Sequence, residues 1–440
     1  MSKHRDRVCG ADVHKDLIVA KITGGGEDPI EASFGTTKSE LKRFEQWLIA
    51  NNCKQVAFEA TGVYWMPVHD LVSLSIDTIV ANPWQIRTIP NDKSDAKDAD
   101  RISELCQNGQ IKRSRVFSDE YRDLRTLTRT RSGYVRMRTQ IKNRIHKHLS
   151  SHGIKLSSCI EDIFGKSGRY ILNGLVNETS IHDILKGIPS GKVRKKEDLI
   201  RASLCNSLNE VNRHIVGDML YILDNIDSKI EDTSRTIMNK LQPRIKDLAI
   251  VMSIPGIGFV AGSTILAEIG DYHDFETPKS LVKWSGLNPG ENESAGKKRP
   301  CGITKRGSKY LRTMLTEVAH VIAKSGNSRL SEFFQRLKAR KNYNIAITAL
   351  SRKILCLIHH LLTNQEMYQE DHCKKRQQNT SESDNDIPSS PDTRLDDKVA
   401  AIVDAFYHLK GRKRKNVLRE RSGSSSRSGA LSKRLSGGDG

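Results

Sequence analysis

The spacing of apolar positions changes along the chain and divides it into four regions. In residues 7–116, short β-rich apolar segments alternate with segments of helical spacing, in the order β-β-β-α-β-α-β-α. We expect strands at 7–13, 16–22, 32–34, 55–60 and 77–83, and helices at 37–50, 63–73 and 95–107. The first two strands are close enough in sequence to form a hairpin. This region is therefore predicted to be an α/β domain.

The predicted order matches a mixed sheet of the ribonuclease-H type, although many other α/β folds share parts of it. Residues 117–245 show long helical patterns instead. One covers 121–149, and a second covers 211–241 with apolar residues at 215, 219, 222, 226, 230 and 237. The second pattern is close to a heptad stripe, so the two segments are expected to pack as a coiled-coil stalk.

The last two regions are predicted to be a compact helical domain and a tail. Residues 246–365 combine helical spacing with a middle rich in Gly and Pro. Residues 370–440 are polar and basic, and we expect them to be largely disordered apart from a short amphipathic helix at 399–409. No apolar run reaches the length of a membrane span, and the eight cysteines form no CxxC pair. These features predict a cytoplasmic protein with no membrane partner.

The net charge is +20, from 72 Lys and Arg against 52 Asp and Glu. Such a surplus indicates a polyanionic partner, in the first place nucleic acid. Residues 124–149 contain eight cations and no anion. An Arg-rich helix face can serve only to keep a stalk soluble, but this imbalance favours contact with a DNA or RNA backbone. The candidate contacts on this helix are Arg125, Arg129, Arg136, Lys142 and Arg144.

Four acidic residues from three segments are candidate metal ligands. Asp12 and Glu59 each interrupt an apolar strand, where an unpaired charge is costly to bury. Asp95 and Asp98 are three positions apart and share one face of a helix. Each acid alone has an ordinary structural explanation, such as a turn cap or an ion pair. Together they can hold hard divalent cations for phosphoryl transfer. Asp16, Asp92 and Asp100 are nearby acids outside this set.

The third region contains two further candidate sites. Pro255-Gly-Ile-Gly258 resembles a helix-hairpin-helix turn, in which Gly256 and Gly258 let backbone N–H groups approach a phosphate. An ordinary turn between helices is the alternative. A loop further along the chain contains Ser294 and a group of cations, Lys297, Lys298, Arg299, Lys305 and Arg306. No histidine lies close to Ser294 in sequence, and spacing alone makes it an ordinary loop serine.

Several motifs, in order, resemble the DEDD-type insertion-sequence transposases, a group related to the Piv and MooV invertases and known as bridge-RNA-guided recombinases. The motifs are Gly10-Ala-Asp-Val-His-Lys15, Phe58-Glu-Ala-Thr-Gly-Val-Tyr-Trp65, Lys93-Ser-Asp-Ala-Lys-Asp-Ala99, Ile254-Pro-Gly-Ile-Gly258, Gly286-Leu-Asn-Pro289, Ser294-Ala-Gly-Lys297 and Gly302-Ile-Thr-Lys-Arg-Gly-Ser-Lys-Tyr-Leu-Arg312. The resemblance covers residues 7 to 360. It implies a RuvC-like DEDD catalytic domain at 7–116, a helical coiled-coil region at 117–245 and a transposase domain at 246–365.

The resemblance also implies a mechanism and partners. Asp12, Glu59, Asp95 and Asp98 would hold Mg²⁺, and Ser294 would attack DNA to give a covalent phosphoserine. Ala295 stands where the family has the glycine after its serine, so Ser285 is the alternative nucleophile. Donor and target DNA, a bridge RNA and a dimer that pairs into a tetramer are the implied partners. The alternatives are a RuvC-like nuclease that uses water and a non-catalytic nucleic-acid-binding adaptor.

Overall fold

The structure, a computed structural model, describes residues 6–60, 62–83, 86, 95–205, 208–290, 293–294, 297–298, 301–326, 328–370 and 395–404. At 95–97, 293–294 and 297–298 it describes the main chain alone. The chain divides into two compact units, Met1–Ser118 and Asp119–Gly440. Each unit has its own hydrophobic core.

The first unit is built on a five-stranded mixed sheet. Its strands are β1 Val8–Val13, β2 Leu17–Thr23, β3 Ile30–Gly35, β4 Gln55–Glu59 and β5 Asp77–Ala81, in the spatial order β3-β2-β1-β4-β5. The first three strands pair antiparallel, whereas β4 and β5 run parallel to β1. The sheet with ribonuclease-H-like strand order that the sequence predicts is therefore confirmed.

Three helices cover the two faces of this sheet: α1 Lys38–Ala50, α2 Trp65–Val72 and α3 Asp95–Gln107. Because side chains alternate along a strand, Cys9 and Ala11 face the core that includes Phe44 of α1 and Val68 of α2. Val8 faces the opposite core, which includes Ile102 of α3. The sheet is therefore buried between two helical layers.

Two long helices, α4 Asp119–Ser151 and α10 Glu210–Lys240, pack side by side in the second unit. Lys240 is 3.0 Å from Asp123, and Arg138 is 3.2 Å from Asp227, so the two helices run antiparallel. The predicted apolar stripe of α10 is partly wrong. Ile215 and Ile222 are exposed, and Val216 and Leu223 are buried in their place.

A small helical bundle connects the two long helices. Its helices are α5 Leu156–Cys159, α6 Lys166–Val176, α7 Ile181–Lys186, α8 Gly191–Arg194 and α9 Glu197–Ser203. They share a core with one half of the helix pair, including Ile145 of α4 and Leu220 of α10. The sequence interpretation treated this region as long helices only and did not anticipate the bundle.

The rest of the unit is helical around one large core. It contains α11 Ile245–Met252, α12 Phe259–Ile269, α13 Pro278–Ser285, the two-residue strands β6 Glu293–Ser294 and β7 Lys297–Lys298, then α14 Lys309–Ser325, α15 Arg329–Lys338 and α16 Tyr343–Asn364; short 3-10 turns lie at Gln242–Arg244 and Tyr272–Asp274. Among the described residues, α16 alone is long and apolar enough to cross a membrane, by length and composition. Its side chains Leu350, Ile354 and Ile358 are fully buried in the core, which accounts for its composition.

A helix at 395–404, α17, packs on the same core within the region predicted to be a disordered tail. Leu395 is buried, and Val399, Ile402 and Val403 pack against the core beside it. Asp396 also lies 3.6 Å from Lys246 of α11. The short helix predicted at 399–409 is thus present over 399–404 and begins four residues earlier, whereas residues 371–394 and 405–440 lie outside the described part of the chain.

Candidate active site

Asp12 and Glu59 lie at the same end of two neighbouring parallel strands. The strands pair with Ala11 opposite Phe58, and Asp12 and Glu59 directly follow these partners. Residues at matched positions of parallel strands point to the same face of the sheet. The carboxylate of Asp12 is 16% exposed and lies 2.9 Å from Nε2 of His14. Two acids are thus placed side by side at the carboxyl edge of the sheet.

Helix α3 covers this face, and its N-terminus is directed toward the two acids. Position 10 of β1 touches α3 at Ala99 and Ser103, and the Cys106 thiol near the end of α3 lies 3.3 Å from the Gln55 side chain at the start of β4. The helix therefore runs antiparallel to β1 and β4. Its first turns, which bear Asp95 and Asp98, therefore extend toward the edge of the sheet at which β1 and β4 end.

The rise per residue along the strand and along the helix places these turns level with Asp12. A strand advances about 3.3 Å per residue, so Asp12 lies about 6.6 Å beyond Gly10. A helix advances about 1.5 Å per residue, so Asp98 and Asp95 lie about 4.5 and 9 Å before the midpoint of the contact between α3 and Gly10. The backbone thus brings the positions of all four predicted acids to one edge of one sheet.

Asp100 is occupied elsewhere, although it is only two residues from Asp98. Its carboxylate lies 2.8 Å from Nζ of Lys21, which also lies 3.0 Å from Glu31. The hydrogen bond to Asp100, followed by that to Glu31, raises the pKa of Lys21. Asp100 is therefore part of an ion-pair cluster over β2, in agreement with its exclusion from the predicted site.

The donor set at this edge suits a hard divalent cation. Carboxylate oxygens are the ligands that Mg²⁺ prefers, and the described acids of the set, Asp12, Glu59 and Asp98, are buried only in part. Among the side chains that the structure describes, no group of three or more His, Cys, Asp or Glu is close enough to form a metal site. The side chain of Asp95 lies outside that description. His14, which the sequence interpretation passed over, is a further donor beside Asp12.

Ser294 lies on a β-hairpin in the second unit. It pairs with Lys297 across the antiparallel strands β6 and β7. The base of this hairpin is a ladder in which the Lys305 amide donates to the Gly286 carbonyl, Thr304 to Asn288 and Gly290 to Gly302. The predicted cations Lys297, Lys298, Lys305 and Arg306 all belong to the same hairpin or its base.

Ser285, the alternative nucleophile, is fully buried at the end of α13. Its hydroxyl donates a 2.8 Å hydrogen bond to the Val282 carbonyl of the same helix and accepts a weaker one from the Leu287 amide. A hydroxyl in this position has no access to a DNA phosphate. The geometry therefore favours Ser294 over Ser285 as the candidate nucleophile.

The cations of α4 fall into two groups. Arg125 and Arg129 contact the buried carboxylate of Glu268, and Arg131 and Arg138 contact Ser234 and Asp227 of α10. The predicted nucleic-acid role of Arg125 and Arg129 is not supported in this conformation, because both guanidinium groups are held by an internal carboxylate.

The second group of cations consists of Arg136, Lys142 and Arg144. Arg136 and Arg144 are exposed, whereas Lys142 is half-buried, with its Nζ 4.9 Å from the centre of the Phe164 ring. These three remain candidates for nucleic-acid contact.

The Pro255–Gly258 segment forms the predicted turn between α11 and α12. Gly256 has a φ of +83°, and a Cβ there would lie 3.2 Å from side chains of Val321 and Ile322 on α14. This glycine is accounted for by turn geometry and packing. Gly258 caps α12, and a Cβ there would meet no atom within 4 Å, so packing does not account for this glycine.

Comparison with known proteins matches both units. The family model DEDD_Tnp_IS110, described as "Transposase", matches residues 9–154, and the model described as "Transposase IS116/IS110/IS902 family" matches residues 248–335. The chain is 24% identical over 366 residues to the transposase for insertion sequence element IS1111A of Coxiella burnetii, which covers 82% of this chain and 91% of that protein. It is 26% identical over 323 residues to a probable family 20 transposase of Pseudomonas aeruginosa; the alignment covers 71% of this chain and 85% of that protein.

The chain belongs to the IS110 family of DEDD transposases. As a transposase it is an enzyme of DNA phosphoryl transfer. The first match contains Asp12, Glu59, Asp95 and Asp98, and the second contains Ser294 and its hairpin. A DEDD-type domain implies the use of divalent metal in general. Helices α5–α10, α16 and α17 lie outside both matches.

Sequence reasoning missed one buried charge in the transposase. Glu268 is completely buried on α12, where it accepts hydrogen bonds from Arg129, Arg125 and Ser308. Burial alone would raise the pKa of Glu268, but the bond from Arg129 and the two positive charges hold it below its usual value. The signal was available, since Glu268 is the one charged residue of an otherwise apolar helix.

Proposed function

We propose that the transposase cuts and rejoins the DNA strands of its insertion sequence through a carboxylate site and a serine nucleophile that act in one reaction. The observation that carries this proposal is the arrangement of the first unit, where β1, β4 and α3 bring four acid positions to one edge of the sheet. Asp12, Glu59, Asp95 and Asp98 would hold Mg²⁺. When bound, the ion supplies positive charge that stabilises the phosphoryl oxygens in the transition state.

The covalent step belongs to Ser294. Its hydroxyl oxygen attacks the phosphorus of a DNA phosphodiester, and the bond from phosphorus to the 3′ oxygen breaks. The products are a 5′-phosphoserine and a free 3′-OH, which receives the proton that the serine loses. Attack by a 3′-OH of the partner strand on the phosphoserine reverses the step and rejoins the DNA. The number of phosphodiester bonds is thus conserved, and no external energy source is required.

The cationic surfaces would hold the nucleic acids. Three cations of α4 suit contact with phosphates, Arg136, Lys142 and Arg144. The cations of the hairpin that bears Ser294, here called the serine hairpin, do so as well: Lys297, Lys298, Lys305 and Arg306. Only 5% of the residues are aromatic, so the chain has few side chains on which bases could stack. This composition favours sequence recognition by a non-coding bridge RNA, with the protein binding backbones. We further propose that the protein acts in the cytoplasm as a dimer that pairs into a tetramer, in which the carboxylate site and Ser294 meet.

The test is to trap the covalent intermediate. Full-length protein is incubated with Mg²⁺, labelled duplex DNA spanning an end of the element, and RNA transcribed from the flanking non-coding segment. We expect a protein–DNA adduct whose phosphopeptide maps to Ser294. Ser294→Ala should abolish the adduct, and Glu59→Gln should strongly reduce it while DNA binding persists. Strand cleavage that survives in Ser294→Ala would instead identify a nuclease that uses water.

Two further outcomes separate the remaining alternatives. Binding without any Mg²⁺-dependent cleavage in the wild type, unchanged by Asp12→Ala, would identify a non-catalytic adaptor. Cleavage and adduct formation without the RNA would remove the bridge RNA from the proposal and leave the chemistry intact.

A further inference from the structure

A completely buried carboxylate joins three helices directly behind the base of the serine hairpin. Glu268 of α12 is bound by Arg129 of α4 through two hydrogen bonds of 2.7 and 2.9 Å. Arg125 lies 3.3 Å away, and the hydroxyl of Ser308 donates to the same carboxylate at 2.8 Å. The oxygens of Glu268 are thus surrounded by donors from α4 and from the start of α14.

Ser308 connects this cluster to the hairpin. It is the N-cap of α14, and its hydroxyl accepts the Leu311 amide while it donates to Glu268. The residue before it, Gly307, packs on the end of α13 so closely that a Cβ would lie 2.3 Å from the Trp284 carbonyl. Two residues earlier, Lys305 begins the ladder that leads to Ser294. Ser308 is therefore only three residues from the base of the hairpin.

The other strand of the hairpin base is fixed by the same helix. Arg312 of α14 donates to the carbonyls of Ser285 and Gly307, which lie on the two sides of the base. Gly286, with a φ of +74°, leaves α13 at this point, and a Cβ there would lie 2.7 Å from the Arg306 amide. Both strands of the hairpin thus start from residues that are held by contacts with α13 and the first turn of α14.

The free-energy cost of desolvating the charges of this cluster indicates that the cluster does more than fill the core. Well-packed apolar side chains often serve the stability of a core as well as a buried ion pair does, because desolvating charges is expensive. A directional network, in contrast, fixes relative positions, since its hydrogen bonds form only in one geometry. The network here ends on the one residue that caps α14 at the hairpin base. This favours a role in placing the hairpin.

We propose that Glu268 and Ser308 are positioning residues for the serine nucleophile, setting the hairpin that bears Ser294 at a fixed place relative to α4 and α12. This inference rests on the proposed function, because it assigns the network a role in the step that Ser294 performs. Neither residue contacts the reacting atoms. Their loss should reduce the fraction of bound complexes in which the hydroxyl is aligned, and misplacement of about 1 Å can cost about a hundred-fold in rate.

The experiment compares two serine caps of the same unit. Ser308→Ala removes the hydroxyl that caps α14 and binds Glu268. Ser328→Ala is the matched control, because Ser328 caps α15 in the same manner through the Ser331 amide, away from the hairpin base. Single-turnover adduct formation is measured over a range of DNA concentrations for the full-length protein. Thermal unfolding of each variant reports the loss of the cap itself.

We expect Ser308→Ala to slow adduct formation at saturating DNA about ten- to hundred-fold with little change in the half-saturating DNA concentration. Ser328→Ala should lower the unfolding midpoint by a similar amount and keep the wild-type rate. Ser308→Thr keeps the hydroxyl and should restore the rate. Glu268→Gln, which retains an acceptor but loses the charge, should slow the same step.

Equal rates for Ser308→Ala and Ser328→Ala would overturn the inference, as would a change confined to the half-saturating concentration. These outcomes are distinct from failure of the proposed function. If Ser294→Ala still forms the adduct, the nucleophile is misassigned; if Ser294→Ala fails and Ser308→Ala matches the wild type, only the positioning role is rejected.

Discussion

Gly10 of β1 lies against the main chain of α3 at Ser103. A Cβ atom at position 10 would lie 2.2 Å from the Ser103 amide nitrogen and 2.3 Å from the Ala99 carbonyl oxygen. Because these contacts are with backbone atoms of α3, no flexible side chain could move aside. Glycine at this position therefore sets the distance between the strand that bears Asp12 and the helix that bears Asp98.

Gly10→Ala is expected to displace α3 from the sheet and to separate the carboxylates. Overpacking of this kind costs about 1–3 kcal/mol or more in unfolding free energy. We expect Mg²⁺-dependent cleavage to be lost while binding of DNA by the second unit persists. Gly133→Ala is the control, because Gly133 lies in α4 with nothing near its Cβ position. That change should stabilise the helix by about 1 kcal/mol. Urea unfolding of both variants measures the two effects, and a Gly10→Ala protein with wild-type stability and cleavage would contradict the geometry.

Asp98 and Asp100 provide a second comparison on the same helix. Asp98→Asn removes a proposed metal ligand, so we expect cleavage to fall to background and the Mg²⁺ dependence to disappear. Asp100→Asn disturbs only the pair with Lys21, where a half-exposed ion pair contributes about 0–1 kcal/mol. Its cleavage rate should stay close to that of the wild type. Cleavage assays over a Mg²⁺ titration compare the two variants. An equal loss of cleavage in both would show that the metal site is assigned to the wrong residues.

The local pattern was sufficient to predict the sheet, because its central strands are short, nearly continuous apolar runs. Strands β1 and β4 carry apolar residues on both faces, and the single acids Asp12 and Glu59 stand out against them. Helix α3 was predicted with the bounds Asp95–Gln107 that the structure has. What the sequence could not show was the direction of α3 across the sheet, which depends on the close contact at Gly10.

The second unit was harder to predict because its contacts are distant in sequence. Ile215 and Ile222 fit a heptad stripe equally well as Val216 and Leu223, and only the partner helix decides which pair is buried. In the same way, Arg129 seemed free for DNA because its partner Glu268 lies 139 residues away. Charge patterns along one helix do not reveal such partners.

The exposed cations of α4 should dominate its salt-dependent binding. Replacing Arg136 and Arg144 by Gln is expected to weaken binding of duplex DNA and to reduce the slope of log K against log salt by about 0.9 for each phosphate that the protein no longer neutralises. Arg138→Gln is the control: Arg138 lies on the same helix as Arg136 and Arg144 but pairs with Asp227 of α10, so its replacement should leave the slope unchanged. Fluorescence anisotropy at several salt concentrations measures the slopes. An unchanged slope in the double variant would exclude this face from the interface.

Ser285→Ala tests the buried serine directly. The hydroxyl makes only local hydrogen bonds in the core, so its loss should cost about 1 kcal/mol in unfolding free energy. Adduct formation should continue at close to the wild-type rate, in contrast with Ser294→Ala. Chemical unfolding and the adduct assay are run on both variants. Loss of the adduct in Ser285→Ala with a normal unfolding curve would reverse the assignment of the nucleophile.

The buried Glu268 should give the second unit a specific dependence on pH. Its pKa is held below the ordinary value by Arg129 and Arg125, so the folded state favours the charged form. The stabilisation is then fully present above the ordinary Glu pKa of about 4.3 and is lost as the pH falls through the lower folded value. Glu268→Gln leaves two partly exposed guanidinium groups without their counter-charge at any pH, which should lower the unfolding free energy near neutrality. Urea unfolding at neutral pH and at pH about 3.5 should show the gap between wild type and variant narrowing in acid. A gap that stays constant would mean that the pKa of Glu268 is the same in the folded and unfolded states.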